Sequence, residues 1–329
     1  MKVSNVSEAK KGIGYGLMAG ATWGIDTVLV GVVMASTPFI DNDQSIALAP
    51  FVSTFMHDSF SALWATLYML LKGQFGNVLK SLKSRSGLFI VLGALLGGPV
   101  GMTCYLLSVK YIGPAYTASI SSIFPGIGAF LAFIFLKEKM NKRVWSGIVL
   151  SITGVLVLGY VPSQFTAGSN FLLGMLFAMG TVFAWAFEGV ICAIGMKNGE
   201  VNPEHAINIR QATSGIFYAI VIIPFIKGYS LVGSALSSKV AVTLVITALV
   251  GTASYIQYYK AINTIGAARS TALNITYAVW AIILQLVFLK SPVSIQLILG
   301  TIIVLFGTTL VVGKPKELVS FSEDSKSVA

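Results

Sequence analysis

Apolar runs of about twenty residues, separated by short loops that hold most of the charge, recur along the chain from residue 12 to residue 313. A helix of about 20 apolar residues crosses roughly 30 Å of hydrocarbon, so each run reads as a membrane span. The pattern predicts spans at 12–35, 46–71, 86–109, 112–136, 144–161, 170–195, 205–226, 239–259, 265–289 and 293–313. The expected fold is an all-α membrane protein of ten transmembrane helices, with no room for a soluble domain. Lys10 and Lys11 precede a first run that is longer than a signal peptide's apolar core, and no small-residue cleavage site follows. A retained first span is expected.

The loop charges orient the spans. Lys2, Lys10 and Lys11 precede the first span, Lys72, Lys80, Lys83 and Arg85 follow the second, and Lys137, Lys139, Lys142 and Arg143 follow the fourth. Lys197 follows the sixth, and Lys314, Lys316 and Lys326 lie in the tail, whereas the alternate loops hold only Lys110, Lys227, Lys239 and Lys290. The positive-inside rule then places both termini in the cytoplasm.

The chain also resembles itself. Residues 96–160 align without gaps to 249–313, matching Leu96 with Leu249, Gly98 with Gly251, Tyr105 with Tyr258 and Ile112-Gly113 with Ile265-Gly266. Phe135-Leu136-Lys137 meets Phe288-Leu289-Lys290, Gly147 meets Gly300 and Gly154 meets Gly307. In the leading helices Gly12 meets Gly174, Trp23 meets Trp185 and Asp26 meets Glu188. A register held over three helices and their loops indicates duplication. Five spans per half is odd, so the halves enter the membrane from opposite sides, residues 1–161 forming one repeat and 170–313 the other, with a polar cytoplasmic tail at 314–329. Inverted repeats of this kind place a substrate site near the midplane, where the halves meet.

Composition agrees and narrows the chemistry. Hydrophobic residues make up 55% of the 329 and charged residues 10%, with a mean hydropathy of +0.83; a soluble domain carries roughly 25% charged residues. The net charge of +10 sits in short loops and not in a patch with interleaved aromatics, which points to topology and away from nucleic acid. Cys104 and Cys192 both fall inside spans, where packing is their expected role. No metalloprotease, nucleophile-elbow, phosphate-loop or C-x-x-C signature is present, so neither an enzyme nor a cofactor or metal site is expected. The glycines of G-A-L-L-G-G-P-V-G and G-I-G-A-F are expected to permit close helix approach and bending.

Polar groups at membrane depth are the candidate chemistry, because a charge at the centre of a span costs at least about 2.5–3.5 kcal/mol and needs a partner or a task. The candidates are Asp26, Asp58, Glu188, Arg210, Lys260 and Arg269. The three cations lie near predicted ends and have stems long enough to snorkel; Asp26 and Glu188 do not. Trp23 precedes Asp26, and Trp185 precedes Glu188, by three residues, which stacks each pair on one helix face. Tyr105 and Tyr258 are the matched tyrosines, and Asn274, Tyr277 and Trp280 follow one another at intervals of three along one stripe. Aromatic faces with a carboxylate suit a quaternary ammonium, which donates no hydrogen bond and is held by ring quadrupoles worth about 0.5–2 kcal/mol each. The alternative is that the rings pack between helices and Glu188 pairs with Arg210 or Lys260. His57 and Asp58 are either a proton carrier or an internal brace, and His205, near a predicted cytoplasmic end, is expected to be solvated.

W-G in the first span, K-Y-I-G-P-A-Y-T-A-S-I-S-S-I-F-P-G at 110–126, the following F-L-K-E-K and a helix with glycines seven apart resemble the drug/metabolite transporter superfamily, EamA type, over essentially the whole chain. More closely, H-D-S-F-S at 57–61, G-A-L-L-G-G-P-V-G-M at 93–102, V-K-Y-I-G at 109–113, A-W-A-F-E at 184–188, I-R-Q-A-T-S at 209–214, Y-Y-K-A-I-N and A-L-N-I-T-Y-A-V-W resemble the Lic-type bacterial choline permeases. The resemblance implies a choline site with an aromatic cage and acidic support, which implicates Trp23, Trp185, Glu188, Tyr258 and Tyr277; the matched Tyr105 and the stripe residues Asn274 and Trp280 complete the candidate binding residues. Asp26, His57, Asp58, Arg210 and Gln211 are the candidate coupling or cavity-lining residues. Two positions depart from the pattern: Leu107 stands where an aromatic is expected, and Lys260 puts a cation beside Tyr258 and Tyr259. The expected protein is a bacterial inner-membrane carrier of choline or a related quaternary amine, working by alternating access on the membrane potential, with proton coupling and a homodimer left open. Beside substrate and membrane lipid, no other partner is expected. An exporter of amino acids or drug-like metabolites is the alternative within the class, and a non-transporting scaffold or sensor the alternative outside it.

Overall fold

The computed structural model describes residues 6–108, 111, 121, 124–135, 137, 140–159, 171–197, 199–277, 279–280, 283–284, 287 and 295–312. The first part of the predicted fourth span, much of the ninth beyond residue 280 and the tail at 314–329 lie outside the described residues. Among those described there is no strand. The helices are α1 (Val6–Met34), α2 (Asp43–Leu71), α3 (Phe75–Lys83), α4 (Arg85–Leu95), α5 (Phe124–Phe135), α6 (Lys142–Gly159), α7 (Phe171–Lys197), α8 (Pro203–Phe217), α9 (Tyr229–Leu236), α10 (Val240–Ile265), α11 (Ala267–Asn274) and α12 (Ile295–Val312).

Five helical stretches among the described residues are long and apolar enough to cross a membrane: Ser7–Met34, Arg85–Ser108, Leu172–Lys197, Pro203–Phe225 and Val240–Ile265. Polar caps set the starts of α2 and α8. Asn42 accepts the Ser45 amide at the head of α2, and Asn202 accepts the His205 amide at the head of α8, where Pro203 needs no donor. Gly266, at φ 89°, breaks the chain between α10 and α11 in a conformation that glycine adopts without a steric cost. Two short helices, α3 and α9, were not expected from the span pattern; each turns the chain between long helices.

Two stretches depart from α-helical winding. Leu96–Met102, which continues α4, and Tyr218–Ile222, which continues α8, are π-helical turns. Such turns widen the helix and recur at functional sites. The first carries Gly97, Gly98 and Pro99.

The long helices pair as α1 with α10, α4 with α7, α2 with α8 and α6 with α12. Large apolar side chains point outward on them, Leu63, Leu88, Ile220 and Ile302 among them, each more than half exposed. Inside, one apolar cluster gathers Met69, Ile90, Cys192, Ile207, Tyr259 and Ile262, and another gathers Val33, Val52, Met56, Ile223 and Leu244. Following α2, α8 or α10 from one cluster to the other crosses a polar layer. That layer positions the site.

The α6–α12 pair shows how closely the helices approach. A Cβ at Gly307 would lie 2.5 Å from the Ser151 backbone nitrogen and 2.8 Å from the Gly147 carbonyl oxygen, both backbone atoms that no rotamer change relieves. Gly307→Ala is therefore expected to cost roughly 1–3 kcal/mol of overpacking. A thermal melt in detergent should show a lower midpoint than wild type, and an unchanged midpoint would show that the two helices do not pack at this distance.

Candidate functional site

The polar layer is a continuous chain of side chains from four helices. On α1, Asp26 Oδ1 lies 3.0 Å from His57 Nε2 of α2, and His57 Nδ1 lies 3.1 Å from Asp58 Oδ1. Ser214 of α8 donates to Asp58 Oδ2 at 2.6 Å, and Arg210 Nη1 stands 3.7 Å from that same oxygen. Arg210 Nε then donates to Glu188 Oε1 of α7 at 2.8 Å. A side branch runs from Arg210 Nη1 to Gln211 Oε1 at 2.7 Å, from Gln211 Nε2 to Ser61 at 2.8 Å, and on to the Thr252 hydroxyl of α10.

This arrangement bears on four expectations. Arg210 does not snorkel: it is 1% exposed and is the hub of the network, because three acceptors surround it where no water is needed. Glu188 does pair with Arg210, and Asp26 with His57, so neither acid that matched in the duplication stands alone. Lys260 does not point at Glu188. Its ammonium lies 2.8 Å from Glu204, a carboxylate that also takes Lys72 at 2.8 Å and the Tyr68 hydroxyl at 3.1 Å. His205 is also buried and not solvated, with Ser81 Oγ 3.0 Å from Nδ1.

Charge in the chain does not balance internally. Asp26, Asp58 and Glu188 face one guanidinium and one imidazole. With the three carboxylates ionised the group carries two negative charges when His57 is neutral and one when it is protonated. Both ring nitrogens of His57 face carboxylate oxygens, and only the imidazolium, with two N–H groups, donates to both at once.

Beside Glu188 the helices enclose a cavity of about 610 Å³, counting all space between atoms out to its mouth. Trp23, Trp185, Tyr258, Asn274 and Tyr277 line it together with Glu188, so the structure brings six of the eight candidate binding residues to one wall-to-wall space. Tyr105 sits behind it, stacked on Trp185 with ring centroids 5.3 Å apart. Trp280 is exposed and is not part of the lining, whereas Tyr277, on the near side of it and past the turn at Ile275 and Thr276, is.

Several lining residues were missed. Tyr255 meets Trp23 edge-on at 4.9 Å and carries the Arg210 guanidinium over its ring at 4.4 Å. Phe124 meets Trp185 edge-on at 5.5 Å, and Tyr259 donates to Cys192 at 3.3 Å. The spacing of Tyr255, Tyr258 and Tyr259 along α10, at three and four residues, was a readable signal that these rings share a face. Asn274 Oδ1 is buried at the cavity with no hydrogen-bond partner among the described residues. A buried acceptor left open in a cavity is a place for a donor.

The π-helical turn shapes the far wall. A Cβ at Gly97 would fall on the Glu188 carboxylate, one at Gly98 on Ser214, and one at Gly101 on the Trp185 indole. The Trp185 indole N–H donates to the Gly97 carbonyl at 3.2 Å. A methyl group at 97 would have to displace the Glu188 carboxylate from its place beside Arg210.

Removing one partner of a buried ion pair costs roughly 3–5 kcal/mol, since the other charge is left uncompensated. Arg210→Met should lower the melting midpoint in detergent by that order, and adding Glu188→Gln should restore part of the loss. No restoration would mean that the pair is not what holds the two residues.

Residues 10–160 and again 172–313 match the EamA-like transporter family. The chain is similar to Protein LicB of Haemophilus influenzae, 32% identical over 216 residues that cover 66% of this chain and 72% of that protein. It is 25% identical over 272 residues to the uncharacterized transporter YyaM of Bacillus subtilis, covering 79% and 86% of the two chains. A solved crystal structure at 16% identity superposes with a TM-score of 0.67 over 91% of this chain and 96% of the other, a likeness of fold.

Proposed function

Because the chain belongs to the EamA-like transporter family, we propose that it carries a small organic cation, choline or a related quaternary amine, across the membrane by alternating access. As a member of this family, with long apolar helices and bacterial transporter relatives, it is a multi-pass protein of the bacterial inner membrane and not an enzyme.

One observation carries the reading: a cavity walled by Trp23, Trp185, Tyr255, Tyr258 and Tyr277 holds, among the described residues, Glu188 as its one acidic lining residue and no lysine or arginine. A trimethylammonium gains from ring faces, about 0.5–2 kcal/mol each, and from the net negative charge behind Glu188. The open Asn274 Oδ1 supplies an acceptor for the choline hydroxyl. The resemblance to Lic-type choline permeases and the similarity to LicB support the same substrate.

Charge also supports linkage to a proton. A cation in the cavity and a proton on His57 together bring the five-residue chain to neutrality, and either alone leaves one negative charge. The groups facing His57 are Asp26 of α1, Asp58 of α2 and, through Asp58, Arg210 of α8; α10 presents Gly251, which is not titratable. The protein then takes up cation and proton in the same direction, and the inside-negative potential contributes about 2.3 kcal/mol per charge per 100 mV.

In this reading residues 1–161 and 170–313 are two inverted repeats of five spans, with both termini and the tail cytoplasmic. Two separate family matches support it, as does the pairing of helices. The α1–α10 and α4–α7 pairs exchange under a two-fold relation between halves, and α2–α8 and α6–α12 each map onto themselves.

Purified protein in liposomes should take up labelled choline saturably under an inside-negative potential. Trp185→Ala should weaken binding by about tenfold, the upper part of the range for one desolvated ring, and Glu188→Gln more. Wild-type uptake in both variants would dismiss the site. At fixed potential an inward proton gradient should raise the initial rate, and His57→Gln should remove that response; indifference of the wild type to the gradient would dismiss proton linkage.

A further inference from the structure

Resting on the cation reading, we infer that Glu188 occupies, from the protein's side, the place at Arg210 that the carboxylate of a zwitterionic ligand would take, and that this pair sets the choice of cation over zwitterion. The Glu188 carboxylate fills a slot with one wall on the Gly97 backbone, which has no side chain, and the other on Arg210 Nε at 2.8 Å. Arg210 is otherwise locked from behind by Gln211, by Asp58 and by the face of Tyr255. It is paired with the acidic residue that lines the cavity, whereas Lys260 is taken by Glu204.

A trimethylammonium with a carboxylate one carbon away, N,N,N-trimethylglycine, offers the same head as choline and the same anion as Glu188. In the wild type that anion would meet Glu188, a like charge in a desolvated space, with its only cationic partner already engaged. The wild type rejects it for that reason.

Charge makes the same distinction. With His57 protonated the wild-type network carries one negative charge, which a cation cancels and a zwitterion does not. Removing the charge of Glu188 leaves the network neutral. A zwitterion then fits it, whereas choline leaves one positive charge in a low-dielectric layer, the state that costs most. Glu188→Ala also empties the slot between Gly97 and Arg210, giving the ligand's carboxylate room beside the guanidinium. Glu188→Gln keeps the volume and removes only the charge, and its isosteric side chain retains an acceptor for Arg210.

The test is competition for labelled choline or labelled trimethylglycine on purified full-length protein, reading the ratio of the two dissociation constants. Coupling between close desolvated charges is worth at least about a factor of ten, so the ratio should move toward trimethylglycine by that much in both variants. Glu188→Gln carries the test if the alanine variant does not fold. Adding Arg210→Met to Glu188→Gln should abolish the gain, because with His57 protonated the network then carries one negative charge again, as in the wild type. If both ligands weaken in proportion, or if the gain survives loss of Arg210, the inference is overturned. Failure of the wild type to bind choline would instead overturn the cation reading beneath it.

Discussion

A guanidinium with 1% of its surface exposed, in the middle of a membrane protein, dictates the arrangement around it. Arg210 cannot be neutralised by losing its proton, so its burial requires anions and acceptors at fixed positions. Glu188 comes from α7, Asp58 from α2 and Gln211 from α8 itself. Those three helices are therefore tied through one side chain at one depth. Every other polar group of the layer then connects to Arg210 or to one of its partners, out to Asp26 on α1 and Thr252 on α10.

The layer's position between two apolar clusters explains why it is both stable and responsive. Close-packed side chains on either side exclude water, which strengthens attraction inside the layer and raises the cost of any unpaired charge. The network is short of positive charge, so it is complete only with something added. Aromatic walls next to Glu188 select what that something is, and the double carboxylate contact of His57 offers a second place to add charge.

Much of this was legible in the chain and some was not. Trp185 and Glu188, and Trp23 and Asp26, share helix faces by spacing alone, and their cost at membrane depth marked the acids as functional. The His57-Asp58 and Arg210-Gln211 pairs were visible as polar interruptions of apolar runs. What sequence could not supply was the third dimension: α2 and α8 pack together so that residues about 150 positions apart, such as Ser61 and Gln211, hydrogen-bond. For the same reason Arg210 looked like a snorkelling residue near a helix end: its burial comes from α2 and α7 packed against it and not from its place along its own helix. The even spacing of Asn274, Tyr277 and Trp280 carries the cavity wall as far as Tyr277, while Trp280 is exposed outside it. Tyr255 shares a helix face with Tyr258 by spacing, but an aromatic in a span also has an ordinary packing explanation, and its contacts with Arg210 and Trp23 show only in three dimensions.

The glycines of the π-helical turn have a consequence for how such a protein diverges. At Gly97, Gly98 and Gly101 the volume of even one methyl group is already taken by Glu188, Ser214 and Trp185. An aromatic in the cavity has substitutes of similar shape, but a vacancy has none. Drift in ligand preference is thus channelled through the rings and the carboxylate, while the least replaceable positions are those that contribute no side chain. A lineage that changed its cargo would keep its glycines and exchange what they accommodate.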